Sequence, residues 1–487
     1  MKIPSFAYSA LLLTLLLSSL TPVSASAQQT DHRLAGDWEG HIDVQGTRLT
    51  IQTHFAEVGD TARTGTIDIP QQGARGLQLV DIAVAGDSVS FRFNAGAGMV
   101  MFDGEFSGDT LISGTFHQAG MAFPFELKRV LEDDGEGGEP GMQDRAPEPP
   151  PYRIEELSVK NGEVTLAGTL TLPQDGKPAP LLVLLTGSGP QNRDEEIFGF
   201  EIFGTLADHL TRNGFAVYRF DDRGVGGSTG DFAQSSMEDH LADTRAILTR
   251  LQEHPGVDGE RMGLLGHSQG GIIAGSIAAE PQPPVDFVVL MASPARPLAD
   301  VVVAQVRTLL EQQNTPEALI KEQVAMQEAV FDTLRGSRDL SELKKWMKEQ
   351  ILEQIAALPE SSRSAIPDPE QHADNQVRIQ METLVSPAFS SFVDYDPASD
   401  LSALRVPALA LFGAKDMQVK EDPNAELIRS ALDRSGVDYR IEIFPQANHL
   451  FQEAESGAPS EYASLEKSFT EGFLSTLTEW LRAQAGM

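Results

Sequence analysis

The hydrophobic pattern divides the chain into two parts with different periodicities. Between Gln28 and about Leu131, apolar and polar residues alternate in short runs that are separated by turn-forming residues. Alternation with a period of two predicts β-strands that bury one face. The runs are 38–44, 48–55, 64–69, 77–84, 88–93, 99–106, 111–116 and 123–128. They predict an all-β antiparallel domain over 28–131, either a sandwich or a small barrel.

A change of composition follows this first part. Residues 132–152 are rich in acidic residues, glycine and proline, which cannot form a core, and this segment is therefore interpreted as a linker. From residue 153 to 487, strand-like runs such as Leu181–Leu185 alternate with helical patterns such as Met237–Gln252. This alternation is typical of a mainly parallel sheet that is covered by helices. The linker predicts that the β domain folds separately and supplies no catalytic group.

Helical periodicity interrupts this alternation from about residue 296 to 395. Val302, Val306 and Leu309 share one helical face, and Leu343 and Met347 share another. The segment follows the predicted strand 285–291, so we interpret it as a helical cap over the carboxyl edge of the sheet. A helical decoration away from the site is the alternative.

One motif in the second part has the composition of a nucleophile turn. A short apolar strand runs into Gly266-His267-Ser268-Gln269-Gly270, and small residues suited to a helix follow. A serine on a sharp strand-to-helix turn has a strained backbone, which is possible only where the residues two before and two after it are very small. Ser268 is the candidate nucleophile, and a chance occurrence in a glycine-rich chain is the alternative.

A serine nucleophile needs a base and an acid that orients the base. Asp416 follows the apolar strand 407–412, and His449 follows the last predicted strand, 439–444. We predict Asp416 as the acid and His449 as the base. The substitutes for Asp416 are Asp422, Asp394 and Asp396. His267, beside the nucleophile, is expected to pack or to line the site.

An oxyanion requires two N–H donors that point at one position. The backbone N–H of Gln269 begins the helix after the nucleophile, where the helix dipole also favours negative charge. The second donor is predicted to be the backbone N–H of Ser188, in the loop after Leu181–Leu185, because Gly187 allows that loop to turn inwards.

The N-terminus and the composition restrict the location and the partners. Residues 1–27 combine a basic start, an apolar run and Ala25-Ser26-Ala27, which predicts a cleaved signal peptide and export to the periplasm or the medium. The apolar run is too short for a comfortable membrane span, so no stable insertion is expected after cleavage. A net charge of −34 argues against nucleic acid as a partner, and the absence of cysteine excludes disulfides and thiolate zinc sites.

These motifs together carry a resemblance. The run from Thr186 to Glu195, the turn Asp222–Gly226, the Ser268 motif and the serine, aspartate, histidine order along the chain resemble exported bacterial α/β-hydrolase-fold serine carboxylesterases with a small N-terminal β domain. The resemblance implies hydrolysis of small acyl esters through an acyl-enzyme. It also implies that the enzyme needs no metal and no organic cofactor.

Two other functions fit the same residues. A serine peptidase or aminopeptidase of this fold would use the same triad, with the acid-rich cap recognising an amine. A glycan- or lipid-binding protein with a vestigial hydrolase domain would require a broken triad, whereas all three residue types are present here.

Overall fold

A computed structural model describes residues 32–130, except for 45–46, 59–61, 70–73, 95–98 and 119–120, and residues 150–487, except for 313–314, 337–339, 358–362, 364–365 and 367. The predicted signal peptide and most of the predicted linker lie outside the described residues. The chain forms two compact units, and the boundary between them falls at Pro151–Tyr152.

The first unit is a closed antiparallel barrel, which confirms one of the two predicted β architectures. Its strands are β1 (Gly36–Val44), β2 (Thr47–Val58), β3 (Ala62–Ile69), β4 (Ala74–Ala85), β5 (Ser88–Asn94), β6 (Met99–Phe106), β7 (Leu111–Gln118) and β8 (Met121–Arg129). Each strand pairs with the next, and β1 closes the barrel by pairing with β8, with Ile42 opposite Phe125. Closure leaves no exposed sheet edge in this unit.

Aromatic side chains fill the interior of the barrel. The ring of Phe102 lies 4.6 Å from Phe91 and 4.9 Å from Phe125, centroid to centroid, and all three residues are buried. Gly104 and Gly114 face each other across β6 and β7, and a Cβ at Gly114 would lie 2.0 Å from the Asp103 carbonyl oxygen. The two strands approach so closely because both positions lack a side chain. The barrel is therefore a packed core rather than a container.

The second unit is built on an eight-stranded sheet with the order β18-β17-β16-β15-β11-β14-β10-β9. Its strands are β9 (Tyr152–Asn161), β10 (Val164–Pro173), β11 (Ala179–Leu185), β14 (Ala216–Phe220), β15 (Val257–His267), β16 (Phe287–Met291), β17 (Ala408–Gly413) and β18 (Tyr439–Phe444). A separate hairpin consists of β12 (Glu196–Ile197) and β13 (Phe200–Glu201). The six strands from β18 to β14 are parallel to one another. Strand β10 is antiparallel to β14, and β9 is antiparallel to β10. The sequence pattern missed β9 because half of its residues are charged or amide-bearing, as expected of an exposed edge strand.

Helices cover both faces of the sheet and form two buried clusters, one on each side. The helices are α1 (Ile202–Arg212), α2 (Met237–Gln252), α3 (Gln269–Ala278), α4 (Leu298–Gln312), α5 (Glu317–Gly336), α6 (Ser341–Ala357), α7 (Pro369–Leu384), α8 (Pro387–Ser390), α9 (Pro397–Leu401), α10 (Glu421–Ser435) and α11 (Phe473–Ala485). No helix within the described ranges is long and apolar enough to cross a bilayer. Phe469 lies before α11 and stacks on Phe473.

The segment between β16 and β17 is helical, as its periodicity indicates. It contains α4 to α9, and Gln305 on α4 donates a hydrogen bond to the carbonyl oxygen of Gln418, 3.1 Å away. Gln418 follows the carboxyl end of β17. Helix α4 therefore touches the loop that carries Asp416.

Buried carboxylates tie together the loops at the carboxyl edge of the sheet. The Asp221 carboxylate, after β14, accepts hydrogen bonds from the Arg193 guanidinium and from the Gly227 N–H, so the Asp221–Ser228 segment is a structural turn. Asp222 accepts hydrogen bonds from the Thr186 hydroxyl, at 3.0 Å, and from the Gln191 N–H, at 2.8 Å. Thr186 immediately follows β11, so Asp222 joins the ends of two neighbouring strands.

Burial raises the pKa of Asp222 to about 8, and the neighbouring carboxylates of Glu195 and Asp221 add to the shift. Between the ordinary aspartate pKa and pH 8, Asp222 is therefore protonated in the folded state but ionised in the unfolded chain. Stability from this proton is present at low pH and is lost as the pH rises towards 8.

We predict that Asp222→Asn changes the pH dependence of stability. Asparagine cannot ionise, so between pH 5 and 8 the wild type should lose up to about 1.4 kcal/mol per pH unit relative to the variant. Urea unfolding at several pH values measures this difference. Asp243→Asn is the control, because Asp243 is equally buried but pairs with Arg223 at 2.6 Å. The prediction is wrong if the difference in unfolding free energy between the wild type and D222N stays constant across this pH range.

Candidate active site

Ser268 lies on a strained turn between β15 and α3. Its backbone angles are φ 52° and ψ −117°, a conformation that side chains other than glycine rarely adopt. The turn is held at its start by the Ser268 N–H, which donates to the Met291 carbonyl oxygen at 2.8 Å, and the Ser268 carbonyl accepts from the Gly271 N–H. Such strain persists only where the surroundings enforce it, which is typical of a functional position.

The two glycines of the motif permit this geometry. A Cβ at Gly266 would lie 2.1 Å from the Gly270 carbonyl oxygen, and a Cβ at Gly270 would lie 2.2 Å from the Leu185 carbonyl oxygen. The turn is therefore pressed both against itself and against the end of β11. Only residues without a side chain fit at these two positions.

The structure brings His449 and Asp416 together. The Nδ1 atom of His449 lies 2.7 Å from Oδ2 of Asp416, and both side chains are buried. The other carboxylate oxygen accepts hydrogen bonds from the Gln418 and Val419 N–H groups, at 2.7 and 2.8 Å. Three donors therefore fix the Asp416 carboxylate, which in turn orients the imidazole of His449. Only Nδ1 of the imidazole takes part in the bond to Asp416, and Nε2 does not.

The three aspartates named as alternatives to Asp416 have other surroundings. Asp394 pairs with Arg335 at 2.5 Å, and Asp396 caps α9 by accepting from the Ala398 N–H. Asp422 lies in a kink at the start of α10. Of the four aspartates, Asp416 is the one hydrogen-bonded to His449.

His267 connects His449, the predicted base, to the turn of Ser268. Its ring centroid lies 4.8 Å from that of His449, and its Nε2 lies 3.0 Å from the carbonyl oxygen of His449. Since His267 is next to Ser268 in the chain, this bond holds the histidine loop against the nucleophile turn. His267 was expected to pack or to line the site, and its hydrogen bond to the His449 main chain was not expected.

The loop after β11 passes directly over Ser268. A Cβ at Gly187 would lie 3.4 Å from Cβ of Ser268. The Gly187 N–H donates to Oε1 of Glu195 at 2.7 Å, so this N–H is already engaged. Ser188 is the next residue in the loop, and Gln269 is the first residue of α3. The assignment of their N–H groups as oxyanion donors stays a prediction.

Glu195 is the residue that the sequence analysis did not single out. It is fully buried, and its Oε1 also lies 2.8 Å from Nδ1 of His267. Burial lowers the pKa of His267, but the Glu195 carboxylate, the His449 carbonyl and Asp416 together outweigh burial, so the net shift of the pKa is upward. Glu195 lies within the Thr186–Glu195 run that carried the resemblance, yet no periodicity marks it out as a site residue.

Comparison with known proteins agrees with this architecture. The family model described as serine aminopeptidase, S33, matches residues 200–455, which is more than half of the chain. Esterase EstD of Thermotoga maritima is 28% identical over 318 residues, and the match covers 64% of this chain and 65% of the esterase. The chain thus spans just under two thirds of that relative's length.

Solved structures to which the chain is similar include an esterase and a peptidase. The Pyrococcus furiosus esterase Pf2001 is 16% identical, with a TM-score of 0.40 and coverage of 69% of this chain and 92% of the esterase. Proline iminopeptidase of Mycobacterium smegmatis is 17% identical, with a TM-score of 0.41 and coverage of 68% and 99%. By its family match and its sheet, the chain has the α/β-hydrolase fold and belongs to the family described as serine aminopeptidase, S33.

Proposed function

We propose that the protein is a serine carboxylesterase that hydrolyses small or short-chain acyl esters. The observation that supports this most directly is the buried pair of His449 and Asp416 beside the strained turn of Ser268. The similarity to an esterase supports the ester as substrate class. We also propose export, on the N-terminal pattern of residues 1–27.

The reaction follows from the roles of these groups. Ser268 Oγ attacks the ester carbonyl carbon while His449 accepts the hydroxyl proton, and the carbonyl oxygen becomes an oxyanion that the Gln269 and Ser188 N–H groups would bind. Collapse breaks the bond to the alcohol, which leaves with the proton held by His449. Water then attacks the acyl-enzyme, again giving a proton to His449, and the carboxylic acid is released as Ser268 regains its proton.

A second candidate function has its own support. The matched family is described as serine aminopeptidase, and an aminopeptidase would use the same nucleophile and base. It would additionally require groups that recognise a free amino terminus. Substrate preference separates the two functions, because their chemistry at Ser268 is shared.

A substrate panel tests the proposal. We expect kcat/KM for p-nitrophenyl acetate and butyrate to exceed that for alanine and proline p-nitroanilides by at least about 100-fold, a difference of about 2.7 kcal/mol in transition-state binding. Both series release a chromophore, so the same spectrophotometer records them. A preference for the aminoacyl anilides would favour the aminopeptidase.

Replacing the nucleophile should abolish turnover. For Ser268→Ala we expect a loss on the order of a million-fold in kcat, because the acyl-enzyme can no longer form. Ser475→Ala, on the surface of α11, is the matched control and should react like the wild type. A serine-directed fluorophosphonate should label the wild type and the control but not S268A. Turnover by S268A near the wild-type rate would refute the assignment.

Replacing the acid should misorient the base. In Asp416→Asn, we expect kcat to fall by about 10⁴-fold because the amide stabilises the wrong tautomer of His449 and cannot balance its positive charge. Asp394→Asn, which removes an exposed ion pair with Arg335, should leave kcat within about twofold. A nearly silent D416N with an inactive D394N would move the acid to Asp394.

A further inference from the structure

A second carboxylate–histidine pair lies beside the proposed triad and has no part in the reaction described above. Glu195 and His267 are 0% and 1% exposed, and Oε1 of Glu195 lies 2.8 Å from Nδ1 of His267. Buried ionisable pairs of this kind cost desolvation energy, so their presence needs a compensating role.

Hydrogen bonding determines the charge of this histidine. Nδ1 of His267 faces a carboxylate oxygen, and Nε2 faces the carbonyl oxygen of His449 at 3.0 Å. With Glu195 ionised, both partners can only accept, so both ring nitrogens carry a proton when both bonds exist. An imidazolium paired with a carboxylate is neutral as a whole.

Each end of the pair holds a different part of the site. Glu195 accepts the N–H of Gly187, at 2.7 Å, in the loop that supplies the proposed oxyanion donor Ser188. His267 holds the main chain of His449, the proposed base. The pair thus joins the oxyanion loop to the base loop through three consecutive hydrogen bonds.

The backbone of Glu195 reinforces this interpretation. Its φ is 45°, in the left-handed region, and its N–H donates to the Asn192 carbonyl oxygen at 2.9 Å. Its second carboxylate oxygen, Oε2, is buried without a hydrogen-bond partner in the described part of the chain. A strained backbone and an unpartnered buried oxygen are both unfavourable for folding, which is typical of a residue kept for function.

Electrostatics explains why Glu195 is paired with His267. A bare carboxylate under the Gly187 loop would repel the negative charge that develops on the substrate oxygen. The His267 imidazolium cancels that charge while leaving Oε1 able to anchor the loop. Glutamate therefore serves the loop geometry, and histidine removes the electrostatic penalty.

We propose that Glu195 and His267 are a coupled pair of positioning residues that align the oxyanion loop with the loop of His449. The proposal rests on the proposed serine hydrolysis but not on the choice between ester and amide. Misalignment of an oxyanion donor affects the transition state and not the ground state, so the pair should act on kcat rather than on KM.

Kinetics of the full-length protein on p-nitrophenyl butyrate test this. We expect Glu195→Ala and His267→Ala each to lower kcat by about 100-fold, the magnitude typical of one lost oxyanion donor, with KM within about threefold. Because the two residues act as a unit, the kcat of the double variant should be within about threefold of the kcat of the less active single variant. Losses that multiply in the double variant, or that appear mainly in KM, would overturn the proposal.

A conservative variant and a control separate positioning from folding. Glu195→Gln keeps an oxygen for the Gly187 N–H and the side-chain volume, so it should recover about tenfold over E195A yet remain about tenfold below the wild type. Asp243→Asn removes the charge from another buried pair, with Arg223, and should lower the melting temperature without changing kcat. A wild-type kcat in E195Q, or an equal kcat loss in D243N, would overturn the proposal.

The design distinguishes this proposal from the proposed esterase function. If the wild type prefers aminoacyl anilides, the same variants are compared on that substrate, and the esterase proposal alone fails. If neither series is turned over, the rate of fluorophosphonate labelling at Ser268 replaces kcat. Unchanged labelling in E195A and H267A would then overturn the positioning role.

Discussion

The site depends on one close backbone contact, between the nucleophile turn and the end of β11. At Gly270, a side chain would reach within 2.2 Å of the Leu185 carbonyl oxygen and 2.5 Å of the Thr186 carbonyl oxygen. Because β11 pairs in parallel with β15, these segments leave the sheet side by side. Ser268, in its strained conformation, lies two residues before this contact, and the Gly187 loop lies beside it. The Ser268 turn and the Gly187 loop thus share one constraint.

Buried acidic side chains organise the rest of the carboxyl edge. Asp222 binds the hydroxyl of Thr186, Asp221 binds Arg193, and Glu195 binds both Gly187 and His267. The bonds of Asp222, of Asp221 and of Glu195 to His267 each join segments that are distant in sequence, whereas the bond between Glu195 and Gly187 lies within one loop. In an interior of low dielectric such bonds are strong when they are satisfied, so they can hold irregular loops that have no regular secondary structure of their own. The acidic residues that give the chain its net charge of −34 thus include these internal anchors.

The proposed ester specificity and the aminopeptidase alternative share this whole apparatus. The proposed triad and oxyanion donors would transfer an acyl group to Ser268 from an ester or from an amide. Groups that contact the leaving group decide between alcohol and amine. In this chain, α4 contacts the loop that carries Asp416, through the hydrogen bond from Gln305 to the Gln418 carbonyl.

The sequence by itself determined the two-part architecture, the strands of the barrel and the turn around Ser268. These follow from local patterns: alternation with a period of two, and glycines at fixed distances from a serine. Sequence also identified His449 and Asp416 as candidates, because each follows a predicted strand of the sheet. Only the tertiary structure decided that Asp416, and not Asp394, Asp396 or Asp422, meets the histidine, since a hydrogen bond between residues 33 positions apart leaves no periodic trace. The same reason hid Glu195, whose partners lie 8 and 72 positions away, and the edge strand β9, whose polar residues face solvent.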